Sequence, residues 1–133
     1  MYKVIKKLDF CYAHRLIHYQ GKCAHLHGHN ALIEIEIQSP HLDDRDLLID
    51  FNEIKSIAKK WIEEALDHKT ILHQADPLAQ TLQDFGEPLF LMKENPSAEA
   101  LAKLILETLR EKGLPVSQVH FWETPSSCAV YQN

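Results

Sequence analysis

The chain has 133 residues, 45% of them hydrophobic, which is enough to bury a core without disulfides or a structural metal. Its 19 acidic and 14 basic residues give a net charge of -5, which argues against a nucleic-acid partner. No apolar run approaches the roughly 20 residues of a membrane span. Three cysteines at irregular spacing, and an opening segment without a signal pattern, predict a soluble cytoplasmic protein.

The first two elements are predicted to be strands. Apolar residues recur at every second position along residues 2–16, as on the buried face of a strand. His14 is the last residue of this mostly apolar set, so it is expected on the buried face. Residues 29–39 alternate again, with isoleucines at 33, 35 and 37 on one face. His27 and His29 have the same parity as these isoleucines, so they are predicted to share the buried face.

Two amphipathic helices follow in the sequence pattern. The first covers residues 50–66 behind a capping signal at Asp50, and the second covers residues 95–113 behind Asn95 or Ser97. The hydrophobic pattern of residues 69–94 is less periodic. It allows a short helix over 78–85 and a strand over 88–92 without deciding either. Residues 116–125 and 126–132 predict two final strands. The expected fold is α+β, an antiparallel sheet with two helices packed on one face, in a single domain over residues 1–133.

Nine histidines are the compositional outlier, and five of them lie between residues 14 and 29. On a strand, His27 and His29 have Cα atoms about 7 Å apart on one face, close enough for both imidazoles to reach one ion. His14 is the best third ligand, because it ends the neighbouring strand on its apolar face. Three neutral imidazoles leave the fourth position of zinc open, as in a catalytic site.

The sequence allows three interpretations of Cys23. As a thiolate it could complete a four-ligand structural zinc site, or it could act as a general base whose pKa a nearby cation lowers. It could also be an inert thiol in a loop. A cupin metal motif is a further alternative, with Glu34 joining His27 and His29, but Glu34 has the opposite strand parity.

Six segments together resemble the 6-pyruvoyl-tetrahydropterin synthase family. They are AHRL at 13–16, GKCAHLHGHN at 21–30, DFNEIK at 50–55, LDH at 66–68, NPSAEALA at 95–102 and ETP at 123–125. They occur in order over almost the whole chain. The three-residue gap between Cys23 and His27 is more similar to the bacterial 6-carboxy-5,6,7,8-tetrahydropterin synthase branch, which serves queuosine biosynthesis.

The resemblance implies a zinc lyase acting on 7,8-dihydroneopterin triphosphate, built as a tunnelling fold whose sheets close into an oligomeric barrel, expected to be a homohexamer. The implied zinc ligands are His14, His27 and His29. Cys23 would be the general base, and Asp67 with His68 the second acid/base group. Glu123 would anchor the pterin through paired hydrogen bonds.

Three further residues are expected to contact the substrate. Glu99 lies in the first turn of the second helix and is a candidate contact. An acidic chain needs a local basic pocket to hold a triphosphate, and Arg15 and Lys22 lie beside the predicted site in the sequence. The alternative activities are a pyruvoyl synthase that releases only triphosphate, and a zinc-binding module without catalysis.

Overall fold

The structure is a computed structural model that describes residues 1–133. Its elements, in chain order, are β1 (Tyr2–His14), β2 (His27–Ser39), α1 (Phe51–Ala65), β3 (Lys69–His73), α2 (Leu78–Asp84), β4 (Leu89–Met92), α3 (Ala98–Glu111), β5 (Val116–Thr124) and β6 (Ser127–Gln132). A short 3-10 turn at Lys22–Ala24 lies between β1 and β2. Each of the three helices is too short or too polar to cross a membrane.

The six strands form one mixed sheet in the order β4-β3-β1-β2-β5-β6. The predicted antiparallel pairing is confirmed for β1, β2, β5 and β6. Residues 69–94, whose structure the sequence pattern left open, contain the other two strands. β3 pairs with β1 in parallel, and β4 pairs with β3 in parallel. Parallel pairing requires a crossover connection, which α1 and α2 provide.

The two long helices begin at the predicted caps. The Asp50 carboxylate accepts the backbone N–H of Asn52 at 2.8 Å, and Ser97 Oγ accepts the backbone N–H of Ala100 at 3.1 Å. Each bond satisfies an N–H that has no partner within its helix. The predicted capping box at α1 is half formed, because the Glu53 side chain makes no return bond to Asp50.

The core lies between the sheet and the helices, in one cluster of 21 buried residues. Ile33, Ile35 and Ile37 of β2 are fully buried, as their shared parity predicted. Phe10 and Tyr12 bring β1 into the same cluster. His14 continues this row and is 2% exposed, so the end of β1 carries a polar side chain at the margin of an apolar core.

Candidate metal centre and active site

Three histidines meet where β1 ends and β2 begins. The antiparallel register places His14 opposite His27 and Tyr12 opposite His29. One nitrogen of each histidine lies within 4.8 Å of the corresponding nitrogens of the other two. The ring centroids are 4.6 Å apart for His14 and His27, 5.1 Å for His14 and His29, and 5.0 Å for His27 and His29. The structure therefore brings the predicted ligand trio together, and we call it the histidine triad.

Backbone carbonyls orient two of the three rings. His14 Nδ1 is 2.7 Å from the Pro96 carbonyl, and His27 Nδ1 is 2.6 Å from the His25 carbonyl. A ring nitrogen that donates to a carbonyl carries the proton, so Nε2 of each ring is left with a free lone pair. The Nε2 atoms of His14 and His29 are buried and have no hydrogen-bond partner. Unpartnered lone pairs that converge in this way fit a metal ion.

The electrostatics of the triad favour neutral imidazoles. Burial lowers the pKa of His14, although the Pro96 carbonyl and the Glu123 carboxylate oppose that shift. Burial also lowers the pKa of His29, again against Glu123. Neutral imidazole is the form that binds a divalent metal, and three nitrogen donors suit zinc and its neighbours in the first transition row. The residues present therefore fit a metal ion.

Glu123, at the end of β5, faces the triad. Its Oε1 is 3.3 Å from His29 Nε2, and its Oε2 is 4.0 Å from His14 Nε2, but neither contact is a hydrogen bond. A cavity of about 240 Å³ opens beside it, and we call this the triad cavity. His14, Glu123, Cys23 and Glu99 all line it. Four of the predicted site residues thus share one cavity, which places a thiol and two carboxylates beside the His14 end of the triad.

Cys23 reaches this cavity through the short turn between β1 and β2. The Leu16 N–H donates to the Cys23 carbonyl at 2.9 Å, which ties the turn to the chain just after β1. Cys23 is free and partly buried, and its sulfur does not belong to the group of ligand atoms within 4.8 Å. The geometry therefore favours a three-histidine site with a nearby thiol over a closed four-ligand site.

Asp67 and His68 lie at a different place in the chain, between α1 and β3. Asp67 Oδ2 is 2.9 Å from His68 Nδ1, and Asp67 Oδ1 accepts the Cys11 backbone N–H at 3.1 Å. Burial opposes ionisation, but the hydrogen bonds from His68 and Cys11 lower the pKa of Asp67 below its ordinary value. This pair lines a separate cavity of about 830 Å³ and does not line the triad cavity. Within one chain, the predicted base Cys23 and the Asp67–His68 pair therefore line different cavities.

The predicted basic residues do not form a single pocket. Arg15 is bound to Asp76 by two bonds, Nε–Oδ2 at 2.8 Å and Nη2–Oδ1 at 2.5 Å. Lys22 is exposed on the short turn. Lys55 and Lys59 of α1 instead line the large cavity beside Asp67, and the sequence reasoning missed them. Their i, i+4 spacing, which places both lysines on one face of α1, is the sequence feature that could have predicted a basic patch there.

The cupin alternative is wrong. Glu34 accepts the Trp122 indole N–H at 3.0 Å and is absent from the group of ligand atoms. Its side chain lies on the face opposite the histidines, as its strand parity indicated. A mixed sheet with three helices is also unlike an all-β barrel.

Solved structures share this fold. An uncharacterized protein from Wolinella succinogenes superposes with a TM-score of 0.87 and 28% identity, over 99% of this chain and 98% of that one. The 6-pyruvoyl tetrahydropterin synthase of Caenorhabditis elegans gives a TM-score of 0.75 over 99% of this chain and 95% of that one. At 20% identity the second comparison shows the fold alone. The predicted tunnelling fold is confirmed for the single chain.

Sequence comparisons give the family. Two proteins named 6-carboxy-5,6,7,8-tetrahydropterin synthase, from Rickettsia conorii and Haemophilus influenzae, are 39% and 34% identical to this chain. The alignments cover 95% and 99% of this chain, and 96% and 99% of the relatives. The model of the family described as 6-pyruvoyl tetrahydropterin synthase matches residues 3–133. The chain is therefore an enzyme of the 6-pyruvoyl tetrahydropterin synthase family.

Proposed function

We propose that this enzyme is a zinc-dependent lyase of queuosine biosynthesis. It converts 7,8-dihydroneopterin triphosphate and one water molecule to 6-carboxy-5,6,7,8-tetrahydropterin, acetaldehyde and triphosphate. The observation that carries the proposal is the histidine triad, with two buried and unpartnered Nε2 atoms, beside a cavity lined by Cys23 and Glu123. The names of the relatives that are 34–39% identical over nearly the whole chain support this product over a pyruvoyl pterin.

The triad is proposed to hold zinc through His14, His27 and His29. When bound, zinc supplies Lewis acidity that makes the hydroxyls of the substrate side chain easier to deprotonate. The carbonyls of Pro96 and His25 hold Nδ1 of two of the rings, which leaves Nε2 of each free to bind a metal. Such partners fix the tautomer and raise the basicity of the ligating nitrogen.

Cys23 and Glu123 are proposed to act on opposite ends of the substrate. Cys23 removes a proton from the substrate side chain, because it lines the triad cavity and a thiolate there can act as a general base. The Glu123 carboxylate anchors the pterin by accepting two parallel N–H bonds. Glu99, exposed at the start of α3, is a further contact on the rim.

Asp67 and His68 are proposed to complete the site from a second copy of the chain. The same-chain pair lines another cavity, so an assembly is needed to bring it to Cys23. Only Tyr12–His14 of β1 pair with β3, which leaves the rest of that edge open, and β6 pairs on one side only. Open strand edges favour pairing between chains. We propose a homohexamer whose sheets close into a barrel.

Lys22 is proposed to contact the triphosphate from its exposed position beside Cys23. Arg15 keeps both N–H groups of Nη1 and the second N–H of Nη2 for phosphate, since Nε and the first N–H of Nη2 are bound to Asp76. The three free cysteines agree with the proposed cytoplasmic location.

The test is to add 7,8-dihydroneopterin triphosphate to the zinc-loaded protein and to measure acetaldehyde, triphosphate and the mass of the pterin. Acetaldehyde in equal amount to a carboxylated pterin is the expected result. Triphosphate release with every side-chain carbon retained would instead identify a pyruvoyl synthase. An unchanged substrate, with zinc bound at one ion per chain, would indicate a binding module.

A further inference from the structure

Three buried polar side-chain atoms in this structure have no hydrogen-bond partner. They are the Tyr12 hydroxyl, His14 Nε2 and His29 Nε2. A metal ion in the triad would account for both nitrogens. The Tyr12 hydroxyl would still lack a partner, although buried polar groups are nearly always hydrogen-bonded.

The packing of Tyr12 does not require a hydroxyl. The residue is 4% exposed, and its ring lies 5.4 Å from Phe10 and 5.9 Å from Phe121 between centroids. Both neighbours are phenylalanines, and phenylalanine would fill the same space at position 12 with no polar atom to bury. The hydroxyl therefore adds a cost to the core that a partner would remove.

Tyr12 is in contact with the triad on two sides. It lies opposite His29 in the strand register and two residues before His14 on the same face of β1. Its ring centroid is 5.0 Å from that of His14 and 5.8 Å from that of His29. Glu123, which faces both histidines, is near enough for its charge to act on the phenol, yet it makes no hydrogen bond to it. The Tyr12 ring thus packs against two of the three proposed metal ligands, and its buried hydroxyl has no partner within the chain.

We infer that the Tyr12 hydroxyl donates a hydrogen bond to the oxygen atom of the ligand that binds at the open side of the histidine triad. The ligand class is an oxygen donor, which is water in the resting enzyme or a hydroxyl or carboxylate of a bound organic molecule. A phenol supplies one O–H donor at a fixed position, so Tyr12 would select oxygen over softer donor atoms. The inference rests on the proposed metal site.

The test compares Tyr12→Phe with wild type and with Tyr131→Phe, a control on β6 that packs on the core away from the triad. Each protein is loaded with cobalt(II), and metal content and the visible spectrum are recorded. Acetate, an oxygen ligand, and 2-mercaptoethanol, a sulfur ligand, are then titrated. We expect one cobalt per chain throughout, and acetate binding weakened roughly tenfold in Tyr12→Phe alone. Binding of 2-mercaptoethanol should change less than twofold, because sulfur is a weak acceptor.

A stability measurement separates this role from a structural one. Thermal midpoints of the metal-free Tyr12→Phe protein should equal or exceed the wild-type value, since the variant lacks a buried unpartnered hydroxyl. A midpoint lowered equally with and without metal would show that the hydroxyl has a partner within the chain, and would overturn the inference. Equal acetate affinity in Tyr12→Phe and wild type would overturn it as well. If wild type binds no cobalt, the proposed metal site fails, and the inference fails with it.

Discussion

Replacing Arg15 with methionine should destabilise the protein, because it removes the cation that pairs with a buried carboxylate. The Asp76 side chain is 0% exposed, and two of its three hydrogen bonds come from Arg15. The third comes from the Leu78 N–H at 2.8 Å, at the start of α2. Methionine keeps most of the aliphatic length of arginine, so the change isolates the loss of charge and hydrogen bonds.

The size of the effect follows from this burial. Breaking a buried ion pair costs about 3–5 kcal/mol, because the remaining charge stays out of water. The Arg15 side chain is 26% exposed, so water can reach the vacated space, and we expect the lower end, about 3 kcal/mol. With about 2.1 cal/mol/K of unfolding entropy per residue over 133 residues, the thermal midpoint should fall by about 11 °C.

The assay is thermal and urea unfolding at neutral pH, with Arg45→Met as the matched control. Arg45 makes a similar pair with Asp43, at 2.7 Å and 3.1 Å, but its side chain is 60% exposed. An exposed pair contributes little, so the control midpoint should stay at the wild-type value. Equal small shifts in both variants would refute the burial argument. An unchanged midpoint with a raised KM would make Arg15 a phosphate contact instead.

The pH dependence of the Arg15 effect has a defined sign. The Arg15 hydrogen bonds lower the pKa of Asp76 in the folded protein, against the opposing effect of burial. The contribution of the pair is therefore complete about one pH unit above the unfolded carboxyl pKa of about 3.9, and it is lost as the pH falls through the lowered pKa of the folded protein. The difference in unfolding free energy between wild type and Arg15→Met should narrow as the pH falls from about 5 towards 3.

Three further predictions concern the site. His14→Ala should bind no zinc by elemental analysis, and it should lose the stabilisation of about 2.7 kcal/mol that zinc at a hundredfold excess over Kd gives the wild type. Cys23→Ala should retain zinc but lose a factor of about 10²–10⁴ in kcat. Burial raises the pKa of the Cys128 thiol, so the control variant Cys128→Ala should keep a kcat near the wild-type value. A larger loss of kcat in Cys128→Ala would assign the base to Cys128. Folding lowers the pKa values of His14 and His29, so below about pH 6.5 the unfolded chain binds more protons than the folded chain. The metal-free protein should therefore lose stability as the pH falls below that value. A urea midpoint that stays constant from pH 8 to 5 would contradict this.

The two long helices, the four antiparallel strands and the triad could be predicted because their signals are local. Alternation along β1 and β2 marks the buried face of each strand, and the caps at Asp50 and Ser97 mark where α1 and α3 begin. Once β1 and β2 pair antiparallel, shared parity places His14, His27 and His29 on one face. Strand geometry alone fixes that outcome, since side chains two residues apart point the same way.

Other features arise only from tertiary structure. Arg15 pairs with Asp76 across 61 positions, and Asp67 accepts from Cys11 across 56, so the sequence reading assigned Arg15 to phosphate and did not foresee either contact. The parallel strands β3 and β4 are short, and their pairing depends on crossover helices rather than on any pattern within them.

Sequence patterns alone specify which residues of β1 and β2 share a face, that α1 and α3 form, and which family motifs are present. The tertiary structure decided which charged groups are already paired, that Asp67 and His68 stand apart from Cys23, and that the Tyr12 hydroxyl is left without a partner beside the triad. The physical reason is that periodicity follows from the geometry of one backbone segment. Burial and pairing instead depend on where distant segments lie when the whole core has packed.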